Sequence, residues 1–483
     1  MRLYLPLKLN KMSRLGEIAE GTMTEERRSI HGQWSTRMAF ILAATGSAVG
    51  LGNVWKFPYI TGEYGGGAFV LVYLFCIFLI GIPVMMAEIL LGRRGRQSPI
   101  NTMRTLATEE NLPAFWKYLG WMGVLAGFLI LSYYSVIAGW ALAYIFRSAS
   151  GMFAGATTVE AQNIFSELIA DPERLLAWHT IFIIMTTIVV ARGVRSGLEK
   201  AVRYLMPLLI AILLVLLGYA MSEGAFQEGL HFLFAPDFSK LTGTAILTAM
   251  GHSFFTLSLG MGAIMVYGSY LPKKTSITKV SIIVALADTA VALIAGMAIF
   301  PIVFANGMEP AAGPGLIFQT LPIAFGQMPG GDFFGPLFFV LLVFAAWTSA
   351  ISLIEPAVAW LVENHGQTRV YATVVVGLVT WLMGLVTVFS FNIWSDFKIW
   401  GLTPFDILDK LTSNIMLPLG GLLIALFAGW LMSRQSVHDE LAMKYDGAFN
   451  LWYHILLRFI APLGVIVIFL HAIGVLHFFG LAE

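Results

Sequence analysis

The sequence predicts an all-α integral membrane protein. Three observations carry that prediction. Of its 483 residues, 58% are hydrophobic and only 12% charged, about half the charge of an ordinary soluble domain. Apolar runs long enough to cross a bilayer follow one another with short gaps. Two of those runs are interrupted near their middles by glycine.

A spanning helix needs about 20 apolar residues, which gives about eleven candidates: roughly 37–60, 67–92, 115–146, 177–192, 199–220, 242–269, 277–304, 334–362, 370–389, 406–432 and 452–478. An odd number puts the two termini on opposite sides. Lysine and arginine set the orientation. With the N-terminus inside, the inner segments hold most of them, including Arg93, Arg94, Arg96, Lys273 and Lys274, and the outer segments hold only Arg147, Arg174, Lys240 and Lys398. Residues 1–36 then form a cytoplasmic tail in which Met12 and Met23 are alternative starts, and 37–483 form one transmembrane domain.

The net charge of +1 gives no reason to expect a nucleic-acid partner. Cys76 is the single cysteine, so no intrachain disulfide forms. No metal-ligand cluster, nucleophile elbow or phosphate loop stands out, which argues against an enzyme.

The first break reads Gly46-Ser47-Ala48-Val49-Gly50-Leu51-Gly52-Asn53 and the second Ser258-Leu259-Gly260-Met261-Gly262. Either alone reads equally well as helix packing. Together they occupy the first and sixth helices, corresponding members of two five-helix halves (about 37–220 and 242–432, with an extra helix at 452–478). Paired broken helices point to a five-plus-five inverted repeat with a site at the midplane.

The words around the breaks are specific. Gly46 to Asn53 followed by Val54-Trp55-Lys56-Phe57-Pro58-Tyr59, then Gly65-Gly66-Gly67-Ala68-Phe69, Ser253 to Gly260, Thr348-Ser349, and Gly197 spaced from Pro207 resemble the neurotransmitter:sodium symporter family. The resemblance implies the leucine-transporter fold and sodium-coupled symport of a substrate by alternating access. Its short loops suggest a bacterial inner membrane.

What the resemblance implies at each residue is as follows. One sodium ion sits among Ala48, Asn53, Thr256 and Asp288. A second takes Gly46, Val49, Ala345, Thr348 and Ser349. Both sets offer hard oxygens, and no organic cofactor is called for. Asp288 replaces an asparagine common at its position, and Ala292 stands where chloride-dependent relatives carry serine. Asp288 is therefore expected to supply the negative charge that chloride supplies elsewhere. Gly50 replaces the aspartate of monoamine carriers, which favours an amino-acid substrate whose carboxylate fills the gap beside Leu51, Gly52 and Tyr134. Ala48, Ile130, Phe255, Thr256, Ser258, Met261, Ser349 and Leu353 complete an apolar pocket suited to tryptophan, tyrosine, phenylalanine or leucine.

Lys56, Asp409 and His252 are expected at an outer gate, although a lone histidine reads equally as a hydrogen-bonded structural residue. Trp34, Tyr270 and Glu363 are expected at an inner gate, with His31 standing where relatives carry arginine. Glu88 is expected to accept hydrogen bonds from the unwound sixth helix. The competing readings are a sodium-independent exchanger on the same fold, a channel and a receptor.

Overall fold

The computed structural model describes residues 27–222, 225–310, 315–441, 447–472 and 475. Most of the expected tail and the end of the last helix lie outside them. Nine unbroken helices are long and apolar enough to span a membrane: α3 (Gly67–Gly95), α4 (Ala114–Ala149), α5 (Pro172–Ala191), α6 (Val194–Ser222), α9 (Ile277–Ala305), α10 (Gly331–His365), α11 (Arg369–Ser390), α12 (Pro404–Leu431) and α13 (Gly447–Val467). The first span is the bent pair α1 (Arg37–Ala48) and α2 (Gly52–Glu63), which meet at 49°. The sixth is α7 (Gly243–Thr256) and α8 (Ala263–Ser269), separated by residues 257–262. Among the described residues these make eleven segments in the expected order, and the described chain forms no strands.

The half-helix that leads into each break starts at a side-chain cap. Thr36 caps α1 by accepting from Ala39 N, and Thr242 caps α7 by accepting from Ala245 N. The breaks differ in kind. At the second, Gly260 and Gly262 have φ of +80° and +76°, and Ser258 joins them at +55°. That backbone path favours glycine. At the first, no residue has positive φ, and glycine is needed there for space. A Cβ on Gly50 would lie 2.5 Å from Ser349 Oγ and 2.7 Å from Tyr134 Oη. One on Gly46 would lie 3.1 Å from Met206 Sδ.

Glycine also sets the distance between α3 and α8. A Cβ on Gly92 would fall 1.9 Å from Met265 O, and one on Gly268 2.8 Å from Ile89 O. The two backbones touch, as small residues in membrane helices allow. One turn before Gly92, buried Glu88 reaches the second break and accepts from Gly260 N at 3.1 Å. The sequence expectation for Glu88 matches this contact.

α6 is continuous through Pro207. Met206, just before that proline, packs on Gly46. Around Gly197 the helix is locally widened into a π-helical stretch, Val194–Glu199, and from Lys200 onward it is α-helical.

Gly92→Ala should push α3 from α8 and lower stability by roughly 1–3 kcal/mol, seen as an earlier thermal transition in detergent. Gly218→Ala, where an added Cβ meets nothing within 4 Å, should leave the transition in place.

Candidate functional site

Asp288, fully buried on α9, draws three helices together. Its Oδ1 accepts from Asn53 Nδ2 at 2.8 Å and its Oδ2 from Thr256 Oγ1 at 2.9 Å. Asn53 Nδ2 also donates to the Asp288 carbonyl at 3.0 Å, and Asn53 Oδ1 accepts from Gly50 N at 3.0 Å. An acid inside a membrane is costly and persists where it has work to do. Here it lies between the last turn of α7 and the start of α2, with the buried Ala48 at the end of α1. A carboxylate, an amide oxygen and a hydroxyl from separate helices form a donor set suited to a hard monovalent cation.

A second group of oxygens gathers on the other side of the break. Ser349 Oγ lies 3.4 Å from Gly46 O, 3.1 Å from Ser47 O and 3.2 Å from Val49 O. Thr348 Oγ1 donates to Ala345 O at 3.1 Å. A Cβ on Gly46 would be 3.3 Å from Thr348 Cβ, so α1 and α10 are in close contact here. All five residues expected at the second ion site come together, and all their oxygens are neutral.

Between the two groups lies a cavity of about 20 Å³, lined by Ser47, Ala48, Gly50, Gly52, Ile130, Tyr134, Phe255, Ser258, Met261, Ser349 and Leu353. It has room for about one water molecule. Of the residues expected in the substrate pocket, Leu51 and Thr256 are not on its wall. Leu51 points into the core while its amide donates to Tyr134 Oη at 3.1 Å. Thr256 turns to Asp288 because its hydroxyl is needed there.

Ser47 is a wall residue that the sequence reading missed. Its hydroxyl donates to buried Ser352 Oγ at 2.7 Å, Ser352 Oγ donates to Ser349 O at 2.8 Å, and Ser258 Oγ donates to Ser47 O at 2.8 Å. This row of hydroxyls ties α1, the second break and α10 together. Ser352 follows Ser349 by three residues on α10, one helical turn, and that spacing was the available signal.

The end of the molecule bearing the N-terminal segment is closed by hydrogen bonds. Trp34, 1% exposed, donates its indole N–H to Tyr267 O and its amide to Tyr270 O, both at 3.1 Å. Tyr270 Oη donates to Glu355 Oε1 at 2.7 Å, and Glu355 pairs with Arg369. Glu363 receives Ser98 N at 2.7 Å, Ser98 Oγ at 2.5 Å, Asn101 Nδ2 at 2.8 Å and His31 Nε2 at 3.1 Å. Glu199 holds Ser35 N at 3.0 Å and Arg203 at 2.7 Å. Arg369 and Glu199 carried no role in the sequence reading, because the contacts of Arg369 with Glu355 and of Glu199 with Ser35 run between separate elements and leave no local spacing to read.

The opposite end is held more lightly. Among the described residues no ion pair joins Lys56 to Asp409. The Lys56 ammonium lies over the Phe255 ring, 4.8 Å from its centroid, a placement open to a compact point charge. Asp409 accepts from Tyr133 Oη at 3.3 Å and Ser413 Oγ at 3.0 Å. The Phe255 ring lies over Gly52, where an added Cβ would come within 3.3 Å of it. His252 is buried between Phe57 and Tyr73, with ring centroids 6.1 and 5.5 Å away. Neither of its nitrogens bonds to a described residue, so the hydrogen-bonded structural role is not what the packing shows.

The sequence-family model for the sodium:neurotransmitter symporter family matches residues 31–164 and 171–480. The chain belongs to the sodium:neurotransmitter symporter family. It is similar to an uncharacterised sodium-dependent transporter of Bacillus subtilis, YhdH, at 39% identity over 92% of this chain and 98% of that one. It is also similar to the sodium- and chloride-dependent GABA transporter 2 of the rat, at 26% identity over 76% of this chain and 68% of that one. The crystal structure of MhsT in complex with L-phenylalanine superimposes with a TM-score of 0.84 at 44% identity, covering 91% of this chain and 99% of that one. The chain is thus a multi-pass, sodium-dependent transporter of the membrane and not an enzyme.

In this symporter the His31–Glu363 contact ties the N-terminal segment to α10, with the Tyr270 ring 5.8 Å from the imidazole. Spin labels at Ser29 and Asn364 should lie farther apart in His31→Ala than in wild type, measured by pulsed electron resonance, whereas an unchanged distance would mean that the contact does not hold this end closed.

Proposed function

We propose that this symporter carries a neutral amino acid with a bulky apolar or aromatic side chain into the cell, coupled to two sodium ions and independent of chloride. The proposal places its N-terminus in the cytoplasm of a bacterium, with the domain boundaries given above. The observation that carries the reading is the Asp288 clasp. One carboxylate holds Asn53 and Thr256 beside an unwound segment whose neighbouring pocket contains no acid or base.

The substrate's carboxylate has a place to go. Tyr134 Oη accepts from Leu51 N, and its own proton is then free to point at a carboxylate. Gly50 leaves only hydroxyls around that point. A carboxylate there adds an oxygen near the Asn53–Asp288 group, so ion and substrate favour each other. The side chain would enter between Ile130, Phe255, Met261 and Leu353. A cavity of about 20 Å³ is far below the usual ligand pocket of about 300–1,000 Å³, so binding must spread these residues. Met261 is pliant, and its flanking glycines let the backbone yield. That MhsT was crystallised with L-phenylalanine supports this substrate class.

Chloride independence rests on the fixed charge of Asp288. A symporter that needs chloride supplies a negative charge from solution, whereas here the charge is on the chain. Alternating access would release the Trp34, Tyr270 and Glu363 contacts at one end while Lys56, Phe255 and Asp409 close the other. Met206 packs on Gly46, so movement of α6 near Pro207 would open the second ion site to water.

Proteoliposomes with an inward sodium gradient should accumulate labelled tryptophan, tyrosine or leucine should compete, and potassium in place of sodium should abolish uptake. Accumulation in both salts would identify a sodium-independent exchanger instead. Gluconate in place of chloride should leave uptake unchanged. Asp288→Asn should cut sodium-driven uptake roughly tenfold or more, the loss of a charged hydrogen-bond acceptor worth about 1.5–3 kcal/mol. Uptake that survives that change in chloride-free medium would remove the basis of the proposal.

A further inference from the structure

The loop 391–403 follows nine spans, so it lies on the membrane face opposite the N-terminal segment. It contains an apolar groove of about 460 Å³. The walls are Val386 of α11, Trp394, Phe397 and Ile399 of the loop, and Pro404 and Ile407 at the start of α12. No charged side chain lines it. An apolar cleft of that size left open to water would be costly, and it shares no wall residue with the substrate pocket.

The groove is continuous with the lipid-facing side of α11. Val370, Val374, Leu378 and Leu382 are 58%, 52%, 56% and 50% exposed. Each step of four turns about 40° around a helix of 3.6 residues per turn, so the row winds round α11. Its upper steps, Leu378 and Leu382, lead to Val386, the groove's inner wall, and that short slanted track ends in the cleft.

The loop's tip is built to project. Ile399 and Leu402 exchange hydrogen bonds of 2.9 and 3.0 Å around Trp400-Gly401. Both turn residues have positive φ, +53° and +78°, as a two-residue hairpin turn requires. Glycine accepts that conformation, and tryptophan does so against its preference. The turn holds Trp400 91% exposed. Exposed Lys398 stands two residues before it and makes no ion pair among the described residues. Aromatic rings and lysine at the rim of a spanning helix suit the headgroup level of a bilayer.

We propose that this cleft is a binding site for a phospholipid of the outer leaflet. The upper part of one acyl chain lies in the groove and continues along the α11 stripe, Lys398 meets the phosphate, and Trp400 anchors the hairpin among the headgroups. A second copy of this chain covering the same stripe is the rival occupant.

The full-length protein, purified in detergent, would be examined by native mass spectrometry after addition of a defined phosphatidylglycerol. Wild type should retain one phospholipid at activation that strips the others. Val386→Trp, which fills the groove, should lower that occupancy roughly tenfold. Phe397→Ser, an exposed loop change, should lower it too and guards against misfolding of the first variant. Equal retention by wild type and both variants would overturn the proposal. So would a dimer that Val386→Trp dissociates without any change in bound lipid. Neither result depends on whether the transported substrate is an amino acid.

Discussion

A helix broken inside a membrane leaves amides and carbonyls with no water to satisfy them, and the arrangement of this symporter follows from how those groups are met. Each break has a dedicated acid. Glu88 holds the amide of Gly260 at the second break. Asp288 organises the first through Asn53, whose amide oxygen in turn takes the amide of Gly50. The remaining carbonyls of the first break face the Ser349 hydroxyl. Satisfying the backbone with side-chain oxygens from other helices is also what gathers oxygens around small spaces. The same geometry that stabilises the break creates places for cations.

The two ends of the molecule are held by different means. At the N-terminal end, carboxylates each take several donors: Glu363 takes four and Glu199 takes two residues, while Glu355 joins tyrosine to arginine. At the other end, an ammonium over a ring and an aspartate turned to hydroxyls leave the closing residues without a direct pair. Buried ion pairs cost desolvation and are lost abruptly when one partner moves. A closure made of them is therefore suited to a two-state opening, whereas an aromatic cover can slide.

Much of this was legible in the sequence because it is written in local pattern. Apolar runs gave the eleven segments, and helix ends differ by a few residues because capping, not hydropathy, sets them. The glycine breaks were visible as words, although their reasons differ. Gly260 and Gly262 are needed for backbone shape, and Gly50 is needed because Ser349 and Tyr134 come so close. Asp288, Asn53 and Thr256 were named together through family resemblance, and their hydrogen bonds give that grouping a physical basis. Residues defined by how the helices pack were not legible. Ser47 and Ser352 look like ordinary helix serines, and Glu355, an acid inside a helix that calls for a partner, does not name Arg369 until α10 and α11 pack. His252 was read as a gate or a hydrogen-bonded residue, and its packing between two rings, with neither nitrogen bonded to a described residue, gave no sign in the sequence.

The central claim is that ion and substrate meet at one break through Asp288 and Gly50. The most direct measurement is equilibrium binding of labelled tryptophan to the purified protein as sodium is raised, in wild type and in Asp288→Asn. The account predicts that wild-type affinity rises with sodium, and that the variant loses most of this dependence at the same chloride concentration. Affinity that is indifferent to sodium in wild type, or a sodium dependence untouched by Asp288→Asn, would contradict it.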